Sequence, residues 1–517
     1  MRRVRLRRSV AAPVVCLSSG LAIGFCFWPY RTGLLAYFLL VPFIVVSGLR
    51  DGRGRFLLNS YIFGFGYFMG SLYWIAMLQK DQITLPWLRL PAAVLLCLYL
   101  ALFMLLVGYL SRRLVLLRVP YEIALAIAWG GVEYLRSLGP LGFPWASLGY
   151  SQVPYPPVIQ QAAVVGTYGL SAWIVLVNGL LARLALSRRA WLGVVVAVVF
   201  GLPVLGGALV LSHARSETDL RVALVQPNIS GAVKWDEAYR DSTMEVLTEM
   251  TLKTRGADMI VWPETAVPLY AKHEPSYLQG VTGLARATGS YLLTGFPDYE
   301  RTPNGIEYYN AAMLVSPAGE IVGEYRKIHL VPFGEMIPFE DRIPLLREIN
   351  FGEGDFSPGT SYDVFEVGAK RFGVAICFES IYPSLVRKFV GNGADFVVNI
   401  TNDEWFGPSA GPFQHAEMAV MRCVECRVGL VRCANTGVSM LVDPYGRVTE
   451  RTRIFSREVL VGRVATAGHG TPYLRWGYIG ELILILTPVT LAVLSYLPGL
   501  RRGKRSGQKP LTAAGPE

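Results

Sequence analysis

The sequence is poor in charged side chains. Asp, Glu, Lys and Arg make up 17% of its 517 residues, whereas an average soluble domain has about 25%. Hydrophobic residues reach 52%, and the mean hydropathy is +0.38. This composition excludes an intrinsically disordered chain and an entirely water-soluble one. We therefore expect part of the chain to lie in a membrane.

The sequence also has few residues that bind metals or nucleotides. Its five histidines form no cluster, and its one CxxC pair, Cys423 and Cys426, lacks partners at the spacing of a zinc site. There is no P-loop and no dinucleotide fingerprint. We therefore predict no metal site and no cofactor. We interpret Cys423 and Cys426 as buried free thiols, with a disulfide as the alternative.

Acidic residues are nearly missing from both ends of the chain. Residues 1–218 contain 19 Lys and Arg but 5 Asp and Glu, and residues 466–517 contain 6 and 2. The segment 219–465 is acidic, with 24 basic and 31 acidic residues. The net charge of +11 therefore comes from apolar flanks, so we predict no nucleic-acid partner.

Apolar stretches in these flanks have about the ~20 residues that a helix needs to cross a bilayer. They lie near residues 9–29, 33–49, 56–78, 90–111, 119–136, 160–182, 190–211 and 477–499. On alternate sides of these spans lie 19 and 4 Lys and Arg residues, which makes the first side cytoplasmic. We predict seven transmembrane helices in 1–218, an outward-facing domain in 219–465, an eighth helix in 466–500 and a basic cytoplasmic tail in 501–517.

The segment 219–465 alternates short apolar runs with helix-like stretches. The runs predict strands at 220–227, 259–262, 291–295, 311–316, 372–377, 394–400 and 437–442. The stretches predict helices near 236–254, 275–287, 383–391 and 413–428. Apolar strands between helices are typical of a sheet buried on both faces. We therefore predict an α/β layered sandwich joined to a multi-span α-helical membrane domain.

Chemically competent residues stand at the ends of these strands, where α/β sheets bind ligands. Glu264 follows one strand, Cys377 ends another with Glu379 two residues later, and Lys327 precedes Glu335 by eight residues. A carboxylate can take the proton of a thiol, and an ammonium can stabilise the thiolate and an oxyanion. Each residue alone also has an ordinary structural explanation. Together they indicate nucleophilic catalysis by Cys377.

The order Glu264, Lys327, Cys377, within WPE, K-x-H-L-V-P-F-G-E and C-F-E, resembles the nitrilase superfamily. With the predicted spans, TNDEWFG at 401–407 and QHAEMAVMR at 414–422, the chain resembles its membrane-embedded members, the apolipoprotein N-acyltransferases. The resemblance implies a nitrilase-like αββα sandwich on a membrane base. It implies Glu264 as general base, Lys327 as oxyanion stabiliser and Cys377 as nucleophile.

The resemblance also implies supporting residues. Glu335 and Glu379 match further acidic positions of the family's site, and Trp235 matches a tryptophan in a mobile loop. The residue after the nucleophile is usually tyrosine in this family, but here it is Phe378. The tyrosine hydroxyl is therefore not essential here unless another group replaces it, while a stacking role of the ring can be retained.

The implied reaction passes an acyl chain from a phospholipid, through a Cys377 thioester, to the amino-terminal amine of diacylglyceryl-cysteine in bacterial lipoproteins. The expected partners are the phospholipid donor, the lipoprotein acceptor and the bilayer. We expect a monomer in the bacterial inner membrane, with its catalytic domain facing the periplasm. Two alternatives stay open. One is a membrane-anchored amidase that hydrolyses C–N bonds, and the other is a transport or scaffold protein whose outer domain only binds.

Polar and aromatic residues around the fifth predicted span have two interpretations each. Glu122 and Glu133 both lie near the ends of the span, and Arg136 follows Glu133 by three residues, which predicts an interfacial pair or functional acids. Phe143, Trp145 and Tyr150 follow in an outward loop. We expect them either to anchor the protein at the membrane interface or to line the path of a lipid.

Overall fold

The structure is a computed structural model that describes residues 2–27, 29, 31–47, 55–78, 86–234, 236–303, 305–340, 342, 356–466 and 470–497. Helices of the apolar flanks are α1 (Arg2–Ile23), α2 (Ala36–Leu39), α3 (Val41–Ser47), α4 (Phe56–Leu72), α5 (Arg89–Leu116), α6 (Tyr121–Arg136), α7 (Pro156–Ile159), α8 (Ala162–Ser187), α9 (Trp191–Ser212) and α15 (Pro472–Leu494). The outer segment contains α10 (Gly231–Lys234), α11 (Arg240–Leu252), α12 (Pro275–Thr288), α13 (Pro383–Gly391) and α14 (Gly411–Cys426).

Among the described residues, four helices are long and apolar enough to cross a membrane, namely α5, α8, α9 and α15. Almost all of α9 is unburied, as expected of a helix that faces lipid. The predicted span 33–49 is instead a 3-10 turn followed by the short helices α2 and α3. Pro42 contributes to this break, because it cannot donate a backbone hydrogen bond within a helix. The count of seven spans stays a prediction.

Helix α1 and the 3-10 turn Gly24–Cys26 after it approach α4 closely at glycines. A Cβ atom on Gly20 would lie 2.2 Å from the Phe63 carbonyl oxygen, and one on Gly24 would lie 2.1 Å from the Gly70 carbonyl oxygen. Small residues allow helix backbones to pack at this distance. Such close packing matters in a membrane, because apolar side chains gain nothing there by moving from lipid into the protein.

The outer segment folds into two six-stranded sheets. Its strands are β1 (Glu217–Gln226), β2 (Met259–Val261), β3 (Tyr291–Thr302), β4 (Gly305–Val315), β5 (Ile321–Arg326), β6 (Val364–Val367), β7 (Lys370–Ile376), β8 (Phe396–Thr401), β9 (Gly429–Ala434), β10 (Met440–Val442), β11 (Val448–Arg451) and β12 (Glu458–Thr466). The first sheet has the order β12-β1-β2-β3-β4-β5, and the second has β11-β10-β9-β8-β7-β6.

Each sheet has a parallel centre, β1-β2-β3 in the first and β7-β8-β9 in the second, with antiparallel strands outside it. Helices α11 and α12 pack on the first sheet, and α13 and α14 pack on the second. The sheets meet in the middle, where Cys433 Sγ lies 3.2 Å from the Val261 carbonyl oxygen. This layered sandwich joined to an apolar helical part confirms the predicted fold class. Cys423 and Cys426 are buried free thiols, as predicted.

Glu133 and Arg136 shape the loop that follows α6. Glu133 Oε1 accepts hydrogen bonds from Trp129 Nε1 at 2.8 Å and from the Leu148 amide at 2.9 Å. Arg136 Nη1 donates to the carbonyl oxygens of Phe143 and Trp145, both at 2.6 Å. These buried side chains therefore hold the loop's backbone, and their position relative to the membrane surface stays a prediction.

Candidate active site

Lys327 lies between two carboxylates. Its ammonium Nζ is 2.7 Å from Glu335 Oε1 and 3.5 Å from Glu264 Oε1. Asn310 Nδ2 donates to both carboxylates, at 2.8 Å for Glu264 and 2.9 Å for Glu335. The Lys327 side chain is fully buried, so the two acids provide the charge compensation that a buried ammonium needs. The pKa of Lys327 is lowered by burial but raised overall by Glu335 and Glu264. Lys327 is therefore protonated at neutral pH.

Glu264 is held where β2 gives way to a loop of the first sheet. Its Oε2 accepts a hydrogen bond of 2.8 Å from the Asn402 amide, which follows β8 of the second sheet. Its carbonyl oxygen lies 3.2 Å from the buried Lys234 Nζ. Gly295 of β3 runs so close that a Cβ there would come within 2.7 Å of Glu264 Cα. Contacts from both sheets thus fix a carboxylate that sequence reasoning places only at a strand end.

Cys377 follows β7 and begins a 3-10 turn that ends at Ile381. Its φ is +51°, a left-handed conformation that L-residues rarely adopt and that is common at functional sites. The pKa of the Cys377 thiol is raised by burial and by Glu264, and it is lowered by Lys327. The net effect is a rise, so the resting thiol is protonated. A nearby base must then take its proton when it attacks.

Glu379 joins the lysine segment to the nucleophile strand. Its Oε1 accepts hydrogen bonds from the backbone amides of Ile328 at 2.7 Å and His329 at 3.0 Å. Its Oε2 accepts one from the Ile376 amide at 2.7 Å. Burial raises the pKa of Glu379 to about 7, and these amide donors and Lys327 oppose the rise. The residue thus fixes the distance between the Lys327 and Cys377 backbones.

Aromatic rings from the helical part cover the nucleophile turn. Phe378 stacks against Phe143, with ring centroids 6.2 Å apart, and against Trp145, at 6.4 Å. Tyr382 packs edge-on against Phe378 at 5.4 Å. Trp145 and Tyr150 are each 2% exposed. These rings therefore lie between the two parts of the protein, and their position relative to the membrane surface stays a prediction.

The stacking role of Phe378 can be tested by stability. Phe378→Leu is expected to lower the unfolding free energy by about 2 kcal/mol, since it removes the ring pairs and leaves a gap. Phe378→Tyr keeps the ring and is expected to change it by less than about 1 kcal/mol. Thermal unfolding of the detergent-solubilised protein measures both. Equal midpoints for the leucine variant and the wild type would contradict the stacking role.

The predicted residues Glu264, Lys327, Cys377, Glu335 and Glu379 come together at one edge of the sandwich. Trp235 lies outside the described residues. Sequence reasoning missed the hydrogen-bond donors Asn310 and Asn402, although Asn402 belongs to the TNDEWFG motif. No group of three or more His, Cys, Asp or Glu side chains in the described ranges is arranged to hold a metal ion.

Comparison with known proteins gives two family matches. The Carbon-nitrogen hydrolase family matches residues 221–469, and the Apolipoprotein N-acyltransferase N-terminal domain matches residues 19–180. The apolipoprotein N-acyltransferase of Geobacter metallireducens is 35% identical, over 96% of this chain and 98% of the relative. That of Vibrio cholerae is 33% identical over 92% and 94%. An amidase structure from Nesterenkonia sp. covers 50% of this chain and 93% of its own, at 20% identity and a TM-score of 0.37.

Proposed function

The chain belongs to the apolipoprotein N-acyltransferase family and is a membrane-bound N-acyltransferase of lipoproteins, and from this premise we propose that Glu264, Lys327 and Cys377 carry out its reaction. The observation that supports these roles is the buried Lys327 ammonium, 3.5 Å from Glu264 and electrostatically coupled to the Cys377 thiol. Glu264 is thereby within reach of Lys327, and the charges of both act on the Cys377 thiol.

In the first half-reaction, the Cys377 sulfur attacks the ester carbonyl carbon of a phospholipid while Glu264 takes the thiol proton. Lys327 donates a hydrogen bond to the oxyanion that forms. The carbon–oxygen bond then breaks, and Glu264 returns the proton to the departing glycerol oxygen. The products are a lysophospholipid and a thioester on Cys377.

In the second half-reaction, the amino-terminal amine of a diacylglyceryl-cysteine attacks the thioester carbon. Glu264 takes a proton from the amine, and Lys327 again stabilises the oxyanion. The carbon–sulfur bond breaks, the thiol regains its proton and the acyl chain leaves as an amide. Glu335, Glu379, Phe378 and Trp235 support the site without exchanging protons in these steps.

The location of the reaction also belongs to the proposal. The ratio of 19 to 4 basic residues supports a bacterial inner-membrane protein whose 219–465 domain faces the periplasm. The same ratio supports seven spans within 1–218, an eighth within 466–500 and a cytoplasmic tail at 501–517. The proposed active unit is a monomer, since one chain supplies all the proposed groups. Both substrates are bilayer lipids, so a site beside the membrane avoids their extraction into water.

The thioester is tested by intact mass. After incubation with a phospholipid of one known acyl chain, the purified protein is expected to gain the mass of one acyl group and to lose it in neutral hydroxylamine. Cys377→Ala should gain none, while Cys97→Ala, which removes a buried thiol within α5, should be acylated like the wild type. An adduct that persists in Cys377→Ala would contradict the proposal. A reactive Cys377 without any adduct would favour the amidase alternative.

A further inference from the structure

A buried polar cluster lies behind the nucleophile turn and has no part in the proposed proton transfers. It consists of Asp403, His415 and Arg432, each 0% exposed, and is called the Asp403 cluster below. Arg432 Nη2 donates to Asp403 Oδ2 at 2.8 Å, and Asp403 Oδ1 lies 2.9 Å from His415 Nδ1. A Cβ on Gly437 would come within 2.0 Å of Asp403 Oδ2. This close fit leaves the cluster little freedom to move.

The Asp403 cluster reaches the nucleophile through one backbone atom. His415 Nε2 lies 3.1 Å from the Cys377 carbonyl oxygen. The same oxygen accepts from Ser380 Oγ at 3.1 Å and from Asn399 Nδ2 at 3.3 Å. A carbonyl oxygen can only accept, so the Nε2 contact is a hydrogen bond when that nitrogen carries a proton. Three side chains therefore converge on a single peptide group.

The peptide that they hold needs support. With its φ of +51°, Cys377 occupies the left-handed region, which is strained for a residue with a side chain. Rotation about the N–Cα bond of Cys377 would relieve this strain, and it would move both the side-chain sulfur and the carbonyl oxygen. Donors fixed on the carbonyl oxygen oppose that rotation, since it would leave buried donors without an acceptor.

The charge within the cluster keeps His415 in place. Burial opposes ionisation of Asp403, but Arg432 and His415 lower the pKa of this carboxyl to about 2. The carboxylate is therefore charged at neutral pH and is tied to Arg432. On one side of the imidazole lies Trp145 of the loop after α6, with ring centroids 5.5 Å apart. Burial and Arg432 lower the pKa of His415, so the imidazole is neutral at neutral pH and carries one ring proton. With that proton on Nε2, Nδ1 accepts a hydrogen bond from Arg432 Nη2 at 3.1 Å, and the ring packs against the helical part.

We propose that His415 is a positioning residue that, through its Nε2–H, holds the Cys377 carbonyl and thereby keeps the sulfur aimed at Glu264 and the acyl ester. The proposal rests on the proposed function, because it assigns to His415 an effect on the thioester-forming step. His415 acts through the Cys377 backbone, and it is not assigned a proton transfer to substrate.

Two substitutions of similar size separate positioning from a general structural role. In His415→Gln, the side-chain amide nitrogen of the glutamine reaches the position of Nε2. In His415→Asn, the side-chain amide nitrogen of the asparagine reaches only the position of Nδ1. The asparagine variant therefore keeps a polar group beside Asp403 and Arg432 but loses the Cys377 contact. Both variants lose the imidazole packing against Trp145, so they are matched in this respect.

The readout is the single-turnover rate of thioester formation, measured by quenched mass spectrometry over a range of phospholipid concentrations. His415→Asn is expected to lower the maximal rate by about 10–100-fold without changing the half-saturating phospholipid concentration, because only the aim of the sulfur changes. His415→Gln is expected to stay within about fivefold of the wild type. Their thermal midpoints are expected to agree within a few degrees.

Rates within threefold of each other in the two variants would overturn the inference, as would a loss in His415→Gln as large as that in His415→Asn. Should the asparagine variant not fold, Asn399→Ser replaces it, since it removes the second donor to the same carbonyl. Slow thioester formation in Asn399→Ser, together with a near-normal rate in His415→Gln, supports the inference. Any other pattern of these two rates overturns it. Failure of the proposed function is separate, since the wild type itself would then form no thioester.

Discussion

Lys327→Met is expected to lower the rate of thioester formation on Cys377 by at least about 10²–10³-fold, the usual cost of removing one donor to an oxyanion. Methionine keeps the length of the side chain but has no charge and no N–H. It also leaves the Glu264 and Glu335 carboxylates without the ammonium that lies 3.5 and 2.7 Å away. The single-turnover mass assay measures the rate. Acylation within tenfold of the wild type would contradict the role of Lys327.

Lys272→Met provides a matched control for this variant. Lys272 also pairs with two carboxylates, Asp298 at 3.2 Å and Glu324 at 2.9 Å, but it lies outside the cluster around Cys377. Both variants remove one ammonium from between two carboxylates. Both are expected to lower the thermal midpoint, whereas only Lys327→Met is expected to slow acylation. A similar loss of acylation in both would indicate damage to the fold and not to the chemistry.

Glu264→Gln is expected to slow thioester formation by about 10²–10⁴-fold, the typical contribution of a general base. Glutamine is close in size and can still accept from Asn310, but its amide cannot take the thiol proton. The backbone N–H of Asn402 donates to Glu264 Oε2 at 2.8 Å. In one orientation of the glutamine side chain, this N–H would face the NH₂ group, which cannot accept a hydrogen bond from it. The same mass assay measures the rate. Glu324→Gln, a substitution beside Lys272, is the control and should leave the rate unchanged.

The pH profile of Cys377 alkylation separates the two roles, because Glu264 raises the pKa of this thiol and Lys327 lowers it. Loss of Glu264 should therefore shift the alkylation midpoint to lower pH, and loss of Lys327 should shift it to higher pH. Iodoacetamide rates across a pH series, followed by mass mapping of Cys377, give both midpoints. Shifts of the same sign in the two variants would show that the electrostatic roles are wrongly assigned.

The sequence predicts the interior strands better than the edge strands. The predicted strands at 259–262 and 372–377 correspond to β2 and β7, whose residues are largely buried and form continuous apolar runs. Edge strand β11 was not predicted, because all four of its residues are exposed and carry no apolar pattern. The outer ends of β3 and β4 were missed for the same reason, since residues 299–302 and 305–308 are exposed or partly exposed, although the missed residues 296–298 and 309–310 are buried.

The chemical groups of the candidate site could be predicted, but the contacts that position them could not. Glu264 and Cys377 stand directly after apolar strands, a local signal that short segments carry. Asn402 and Glu264 are 138 residues apart, and Asn399 and Arg432 are 33 apart, so only the packing of strands brings each pair together. His415 appears in the sequence as one residue of a helix, without a sign that it faces the nucleophile backbone.

By itself, the sequence determined which segments are apolar enough for a membrane, which side of them carries the arginines and which residues can act as acid, base or nucleophile. These properties depend on composition and on short-range spacing, because hydrophobic burial and side-chain chemistry are local to a residue. Only the tertiary structure decided that Lys327 lies between two carboxylates, that Glu379 joins two backbone segments and that rings from the helical part cover Phe378. Those contacts join residues far apart in the chain, and they form only when both sheets and the helical part pack together.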